Sequence, residues 1–166
     1  MILKIRVILD TEENVIRDIA IDGSDNLEDL HNAITNAFGF SGTEMSSFYI
    51  SDEEWNQGEE FPLFDMSEVP GEVTQMREIS IKDVLDKKGD KLIYIYDFIF
   101  MWTFYVELIE ISDEETTDLL PQLIFSLGEV PKDVPEKKFE SDDSLSDEFD
   151  LDDDDEYDYD PDEFWS

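Results

Sequence analysis

The segment Leu92–Ile109 constrains the fold of this chain more than any other part of the sequence. It is dense in aromatic and β-branched residues, which favour strands over helices. The segment has the length of a short membrane-spanning helix, but Asp97 and Glu107 interrupt its apolar run. We therefore predict two adjacent strands, Lys91–Phe98 and Trp102–Ile111, in central positions of a sheet.

The N-terminal part of the chain predicts a hairpin followed by a helix. Ile2–Leu9 alternates apolar and charged residues, as a half-buried strand does, and Val15–Ile21 follows as its partner. Asp25 or Asn26 can serve as the helix N-cap, and Gly39 is suited to the C-terminal stop. The apolar residues that recur at helical spacing between them are Leu27, Leu30, Ile34, Ala37 and Phe38.

The remaining patterns are shorter and complete an α+β fold. We predict a mixed or mainly antiparallel sheet with two helices on one face. The further predicted elements are a strand at Phe48–Ile50, a strand near Phe61–Phe64, a second helix from Ser80 to Lys87 or Lys88, and a last strand at Gln122–Leu127.

The composition changes after Pro131, so we predict a folded domain over residues 1–134 and an acidic tail over 135–166. Runs of like charge, such as the aspartates at 152–155, repel one another and cannot be buried, which predicts disorder. Aromatic residues interrupt the acidic run and are candidate anchors for a partner. These anchors are Tyr157, Tyr159, Phe164 and Trp165.

The charge of the chain is extreme, with 46 acidic against 11 basic residues and a net charge of −35. Residues 140–166 hold 15 acidic and no basic residues, so residues 1–139 still carry −20. Such a surface repels phosphate backbones and anionic membranes, because both are bound through Lys and Arg. We expect no direct nucleic-acid binding and no membrane binding, and the natural electrostatic partners are basic proteins or cations. The alternative interpretation is a soluble, self-repelling acidic protein whose charge serves no partner.

The chain contains no cysteine, which removes disulfides, thiolate metal sites and cysteine nucleophiles. Charged residues in the segment Met1–Val7 break the apolar run that a signal peptide requires. We expect a cytoplasmic protein.

Two ionisable residues are candidates for chemistry. His31, the one histidine, lies beside the apolar face of the first helix and is either a locally hydrogen-bonded helix residue or a general base. Asp97 lies in a strongly apolar segment, so its carboxylate must be paired, hydrogen-bonded or at an edge. It is either a structural group or an acid with a raised pKa in a pocket.

Aromatic residues around Trp102 and Tyr96 either line a ligand pocket or pack in the core. The tail also carries carboxylates at the spacing of a calcium-binding loop, but Tyr157 occupies the position that requires glycine. We therefore predict no folded metal site and no cofactor. The tail residues at that spacing are Asp152, Asp154, Glu156, Asp158, Asp160 and Glu163.

Several segments together resemble the plasmid pRiA4b ORF-3-like family. The similar stretches are the strand Val15–Ile19, the helix Leu27–Phe40, the segment Ile81–Leu85, and the strand Gly89–Phe98 followed by Trp102. The resemblance covers most of residues 2–134 and implies an α+β fold with a mixed or antiparallel sheet and helices on one side.

The chain departs from the family pattern at a polar cluster. Ile99 and Phe100 stand where relatives have Gly-Asp, and Phe104 stands where they have His. The resemblance implies that Arg17 is a partner for Asp97, and it implies little about activity.

These observations lead to one expected function and two alternatives. We expect a non-catalytic binding or accessory protein that engages a basic protein partner through its acidic surface and tail. One alternative is a nucleic-acid mimic that occupies a basic DNA-binding groove. The other is an enzyme or small-ligand binder that uses Asp97 and His31.

Overall fold

Seven strands and two short stretches of α-helix make up the part of the chain that the computed structural model describes, which is residues 1–69, 71–114, 116 and 118–131. The strands are β1 (Ile2–Leu9), β2 (Val15–Asp22), β3 (Ser46–Ser51), β4 (Gln57–Pro62), β5 (Lys91–Tyr96), β6 (Trp102–Ser112) and β7 (Gln122–Leu127). The helices are α1 (Leu27–Phe38) and α2 (Ile81–Val84), with one 3₁₀ turn at Met76–Glu78.

All seven strands form one sheet in the order β4-β3-β5-β6-β1-β2-β7, and every pairing is antiparallel. The prediction of an α+β fold with a mainly antiparallel sheet is confirmed. Strands β5 and β6, whose apolar density predicted central positions, are third and fourth of the seven. A strand in this position is paired on both edges and buries one face, which selects the alternation of buried and partly exposed residues that β6 shows.

Helix α1 begins and ends where the sequence indicates. The side chain of Asn26 accepts a hydrogen bond from the Asp29 backbone N–H at 2.8 Å, and the Asp29 carboxylate accepts one from the Asn26 N–H at 3.0 Å. This capping box satisfies two of the free N–H groups of the first turn. Gly39 ends the helix in the left-handed conformation, with φ of 82°, which glycine adopts without a Cβ clash.

The hydrophobic core lies between α1 and one face of the sheet. Strands β1 and β6 each contribute every second residue along most of their length to this core. Ile81 of α2 belongs to the same core. On the opposite face of the sheet, Arg6 donates two hydrogen bonds of 2.9 Å to the buried carboxylate of Asp18.

Several predicted elements have different bounds in the structure, and β3 begins two residues before the predicted Phe48. Helix α2 ends at Val84 and not at Lys87 or Lys88, because the Asp90 carboxylate accepts hydrogen bonds from the Asp86 and Lys87 N–H groups and forms a turn there. Strand β5 stops two residues before Phe98, at a change to positive φ. The fourth strand starts earlier than predicted and ends at Pro62.

Residues 132–166 lie outside the described residues. The predicted acidic tail, its aromatic anchors Tyr157, Tyr159, Phe164 and Trp165, and the carboxylates at calcium-loop spacing all fall there. No helix in the described part of the chain has both the length and the apolar character needed to cross a membrane.

Candidate functional site

His31 is fully buried, with 1% of its surface exposed, at the interface between α1 and β5. Its Nδ1 lies 2.5 Å from the Tyr94 hydroxyl and 3.3 Å from the Ser46 hydroxyl, and its Nε2 lies 3.2 Å from the Gly42 carbonyl oxygen. A carbonyl oxygen can only accept, so Nε2 carries a proton. Burial favours the neutral ring, in which Nδ1 is then the acceptor and the Tyr94 hydroxyl donates to it.

Burial sets the protonation of this pair. Desolvation lowers the pKa of His31 below its usual value and outweighs the opposing hydrogen bond to Gly42. Burial also strongly raises the pKa of Tyr94, so both side chains stay uncharged at neutral pH. Both ring nitrogens of His31 have hydrogen-bond partners, and the pair holds α1 against β5. Because both side chains are buried, neither is accessible to a substrate in the described structure.

Tyr96 and Trp102 pack next to this pair. Rings of His31 and Tyr96 lie 6.4 Å apart, and Phe40 stacks between Tyr96 and Trp102 at 5.2 and 5.0 Å. The Tyr96 hydroxyl accepts a hydrogen bond of 3.0 Å from the Gly42 N–H. This cluster fixes the loop that follows α1, so both aromatic candidates serve the packing of the core.

Asp97 lies in a tight turn and not in the strand that the sequence predicted. Its φ is 68°, and its Oδ1 accepts hydrogen bonds from the N–H groups of Ile99 at 3.0 Å and Phe100 at 3.4 Å. The half-buried carboxylate organises the connection between β5 and β6. We call residues Phe98–Met101, which this carboxylate holds in place, the apolar turn.

Arg17 lies at the C-terminal end of α1. Its guanidinium donates hydrogen bonds to the carbonyl oxygens of Ile16, Ala37 and Leu127 and lies 5.2 Å from the centre of the Phe38 ring. The family resemblance suggested Asp97 as its partner, but Asp97 is not among these contacts. Arg17 instead joins the end of α1 to β2 and β7.

The structure thus brings three of the five predicted residues together and leaves two apart. His31, Tyr96 and Trp102 share one cluster, while Asp97 stabilises its own turn and Arg17 binds backbone carbonyls. Sequence reasoning missed Tyr94, although the alternation of β5 places it on the same face as Tyr96.

A separate cavity of about 480 Å³ opens where β1 begins and where β2 and β6 end. Carboxylates dominate its lining, and we call this region the acidic end. Burial, followed by the nearby charges of Asp29 and Asp22, raises the pKa of Asp25. The carboxylates that line this cavity are Asp22, Asp25, Asp113, Glu114 and Asp118.

None of the residues that line the acidic end is a histidine. Across the residues described here, no group of three or more His, Asp or Glu side chains is arranged to hold a metal ion. The cavity therefore offers negative charge and hydrogen-bond acceptors, which suit Lys and Arg side chains.

The comparisons with known proteins agree with this fold. The sequence model described as plasmid pRiA4b ORF-3-like protein matches residues 1–164. The chain belongs to this family. No protein with curated annotation matches the chain.

One solved structure with the same fold is a protein of unknown function, MM3350, from Methanosarcina mazei Go1. It is 16% identical to this chain, with a TM-score of 0.62, and the match covers 75% of this chain and 68% of that one. At this identity the similarity supports the architecture alone.

Proposed function

We propose that this member of the pRiA4b ORF-3-like family is a non-catalytic protein that binds a basic protein partner through its acidic surface. The observation that carries the proposal is the excess of carboxylates that no cation neutralises. Residues 1–131 contain 29 Asp and Glu but 8 Lys and Arg. Within the described residues, three salt bridges form, Lys4–Glu110, Arg6–Asp18 and Lys91–Glu107.

The acidic end concentrates this charge at one place. Asp113, Glu114 and Asp118 are exposed and face a cavity that can receive a long cationic side chain. Clustered charges of one sign focus the electrostatic field in a cleft and speed the association of an oppositely charged partner. The partner would accordingly be recognised by Lys and Arg.

The geometry does not favour the alternative of an enzyme that uses Asp97 and His31. The His31 ring is buried, and Tyr94 and Gly42 occupy the hydrogen-bonding positions of its two nitrogens. The Asp97 carboxylate accepts hydrogen bonds from backbone N–H groups of its own turn. Neither residue lines the acidic cavity. A general base needs access to the proton that it removes, and His31 lacks it.

The test is binding of a fluorescent oligolysine peptide to the full chain, followed by anisotropy at increasing salt. We expect binding that weakens steeply with salt, because exposed charges are screened over about 8 Å at physiological ionic strength. The triple variant Asp113→Asn/Glu114→Gln/Asp118→Asn should bind less tightly than the control Glu12→Gln/Glu13→Gln/Glu53→Gln, which removes equal charge elsewhere. Equal affinities for oligolysine and oligoglutamate would contradict the proposal.

A further inference from the structure

The apolar turn exposes four consecutive large hydrophobic residues to solvent. Ile99 is 83% exposed and Phe100 is 57% exposed, and Phe98 and Met101 are exposed by 40% and 37%. Single exposed hydrophobic residues are ordinary, but a contiguous apolar patch marks a surface that binds something.

The turn is held rigidly in this exposed position. The Asp97 carboxylate accepts from two N–H groups within the turn, and the Met101 N–H donates to the Asp97 carbonyl at 2.6 Å. The Asp97 N–H donates in turn to the Met45 carbonyl at 2.8 Å. Since the backbone is fixed at both ends, the side chains are presented to a partner without a large loss of conformational entropy on binding.

A second exposed apolar segment leaves the same end of the sheet. The Leu63 N–H donates to the Ser46 carbonyl at 2.9 Å, next to the Met45 carbonyl that accepts from Asp97. Two strand spacings separate β4 from β5, so the two segments start roughly 10 Å apart. The exposed residues of this second segment are Phe64, Met66 and Val69. We call the two segments together the apolar end.

Carboxylates accompany these hydrophobic residues, and cations do not. Asp65 and Glu68 lie within the second segment in sequence, and Glu44 precedes Met45, whose carbonyl accepts from Asp97. Glu44 and Glu68 are exposed and Asp65 is half-buried. Residues 18–76 and 92–131, which include both segments, contain no Lys or Arg. An apolar patch with an acidic border is complementary to a segment with one apolar face and basic flanks.

We propose that the apolar end docks a cationic amphipathic helix of a partner protein, an inference that rests on the proposed function and defines the partner more closely. Hydrophobic residues of that helix would cover Ile99 and Phe100, while its Lys and Arg would meet the bordering carboxylates. Charge selects this occupant. Residues 140–166 of the chain and a second copy of the protein are both acidic and would be repelled.

The experiment measures the affinity of the full chain for a labelled helical peptide of Leu and Lys with one apolar face. A scrambled peptide of the same composition has no such face and is the peptide control. The variant Ile99→Ser/Phe100→Ser should weaken binding of the helical peptide roughly tenfold or more, because two apolar side chains lose their burial. Ile124→Ser, which changes a 40% exposed apolar residue on the edge strand β7, should leave the affinity unchanged.

The outcomes separate the two proposals. Equal binding of both peptides, unaffected by the double variant, overturns the apolar end as the docking surface and leaves a basic partner in place. Absence of binding by any cationic peptide overturns both. Conversion of a wild-type dimer to a monomer by the double variant would assign the surface to self-association. Competition by a synthetic peptide of residues 132–166, or variant-sensitive binding to phosphatidylcholine vesicles, would likewise overturn the proposal.

Discussion

The two ends of the sheet differ in chemistry although the same strands form both. Strands β1, β2 and β6 meet at the acidic end, where carboxylates line an open cavity. At the opposite end, the connection between β5 and β6 exposes four hydrophobic residues above a layer of buried aromatic rings. One end therefore offers long-range attraction that salt weakens, and the other offers short-range apolar contact that salt does not screen.

The difference teaches where recognition can be specific. Exposed carboxylates attract many cationic surfaces with little selectivity, and each exposed ion pair contributes little free energy. A fixed apolar patch contributes more free energy per contact and requires a partner of matching shape. Under the two proposals, the acidic end would govern the rate of encounter and the apolar end would govern the choice of partner.

The largest predicted effect distinguishes a buried aromatic residue of the core, Phe104, from an exposed one of the apolar end, Phe100. Phe104→Ala should lower the free energy of unfolding by about 3–5 kcal/mol, because the ring is fully buried against Phe38, Phe40 and Tyr94. Phe100→Ala removes the same side chain from an exposed site and should change stability by less than about 0.5 kcal/mol. Urea denaturation of both variants measures this, and a large loss in Phe100→Ala would show that the turn serves folding.

The second prediction uses pH, because the contact between α1 and β5 contains a buried histidine. Burial lowers the pKa of His31 in the folded state, so the unfolded chain binds its proton first as pH falls below about 6.5. Stability is complete above that pH and should fall as pH approaches about 5, by up to roughly 1.4 kcal/mol per pH unit. Unfolding free energies across this range measure the slope.

Two variants identify the titrating group. His31→Gln removes the ionisation and should abolish the slope between about pH 6.5 and 5, even if the variant is less stable. Tyr94→Phe keeps the histidine and should retain the slope while losing about 1 kcal/mol, because Nδ1 loses its closest donor. An unchanged slope in His31→Gln would assign the effect to carboxylates.

Much of the fold could be predicted from the sequence because its patterns are local. The alternation of β1, the cap of α1 at Asn26 and the stop at Gly39 each depend on residues a few positions apart. The end of α2 was missed because a carboxylate several residues ahead, Asp90, competes for the backbone N–H groups. Such competition between side chain and helix is decided by the folded geometry.

The site was harder to predict because it depends on contacts between distant residues. His31 and Tyr94 are 63 positions apart, and the sequence indicated only that both lie on apolar faces. Asp97 was placed in a strand since its neighbours are apolar, but its short side chain tolerates positive φ and forms the turn itself. The cavity at the acidic end joins carboxylates from two distant segments, 22–25 and 113–118, and no spacing in the sequence indicates it.

The smallest predicted effect concerns two neighbouring carboxylates of the acidic end whose pKa values shift in opposite directions. Burial raises the pKa of Asp25, so its ionised form destabilises the fold at neutral pH and the penalty disappears as pH falls through that raised value. Hydrogen bonds from the Ser24 N–H and hydroxyl lower the pKa of Asp22, which stabilises the fold above the usual value of 3.8 and is lost below it.

Asp25→Asn should therefore stabilise the protein at pH 7 by a few tenths of a kcal/mol, whereas Asp22→Asn should destabilise it. Asp25→Asn keeps the backbone hydrogen bond of 2.8 Å that its carbonyl accepts from Ile81, so the comparison isolates charge. The gain should vanish in acid, because wild-type Asp25 is then neutral as well. Thermal unfolding of the two variants and the wild type, from pH 7 into the acid range, measures whether each substitution raises or lowers stability. Stabilisation by both substitutions would contradict the prediction, because it would mean that repulsion among the carboxylates of the acidic end outweighs the hydrogen bonds of Asp22. The carboxylates would then be retained for binding at a cost in stability.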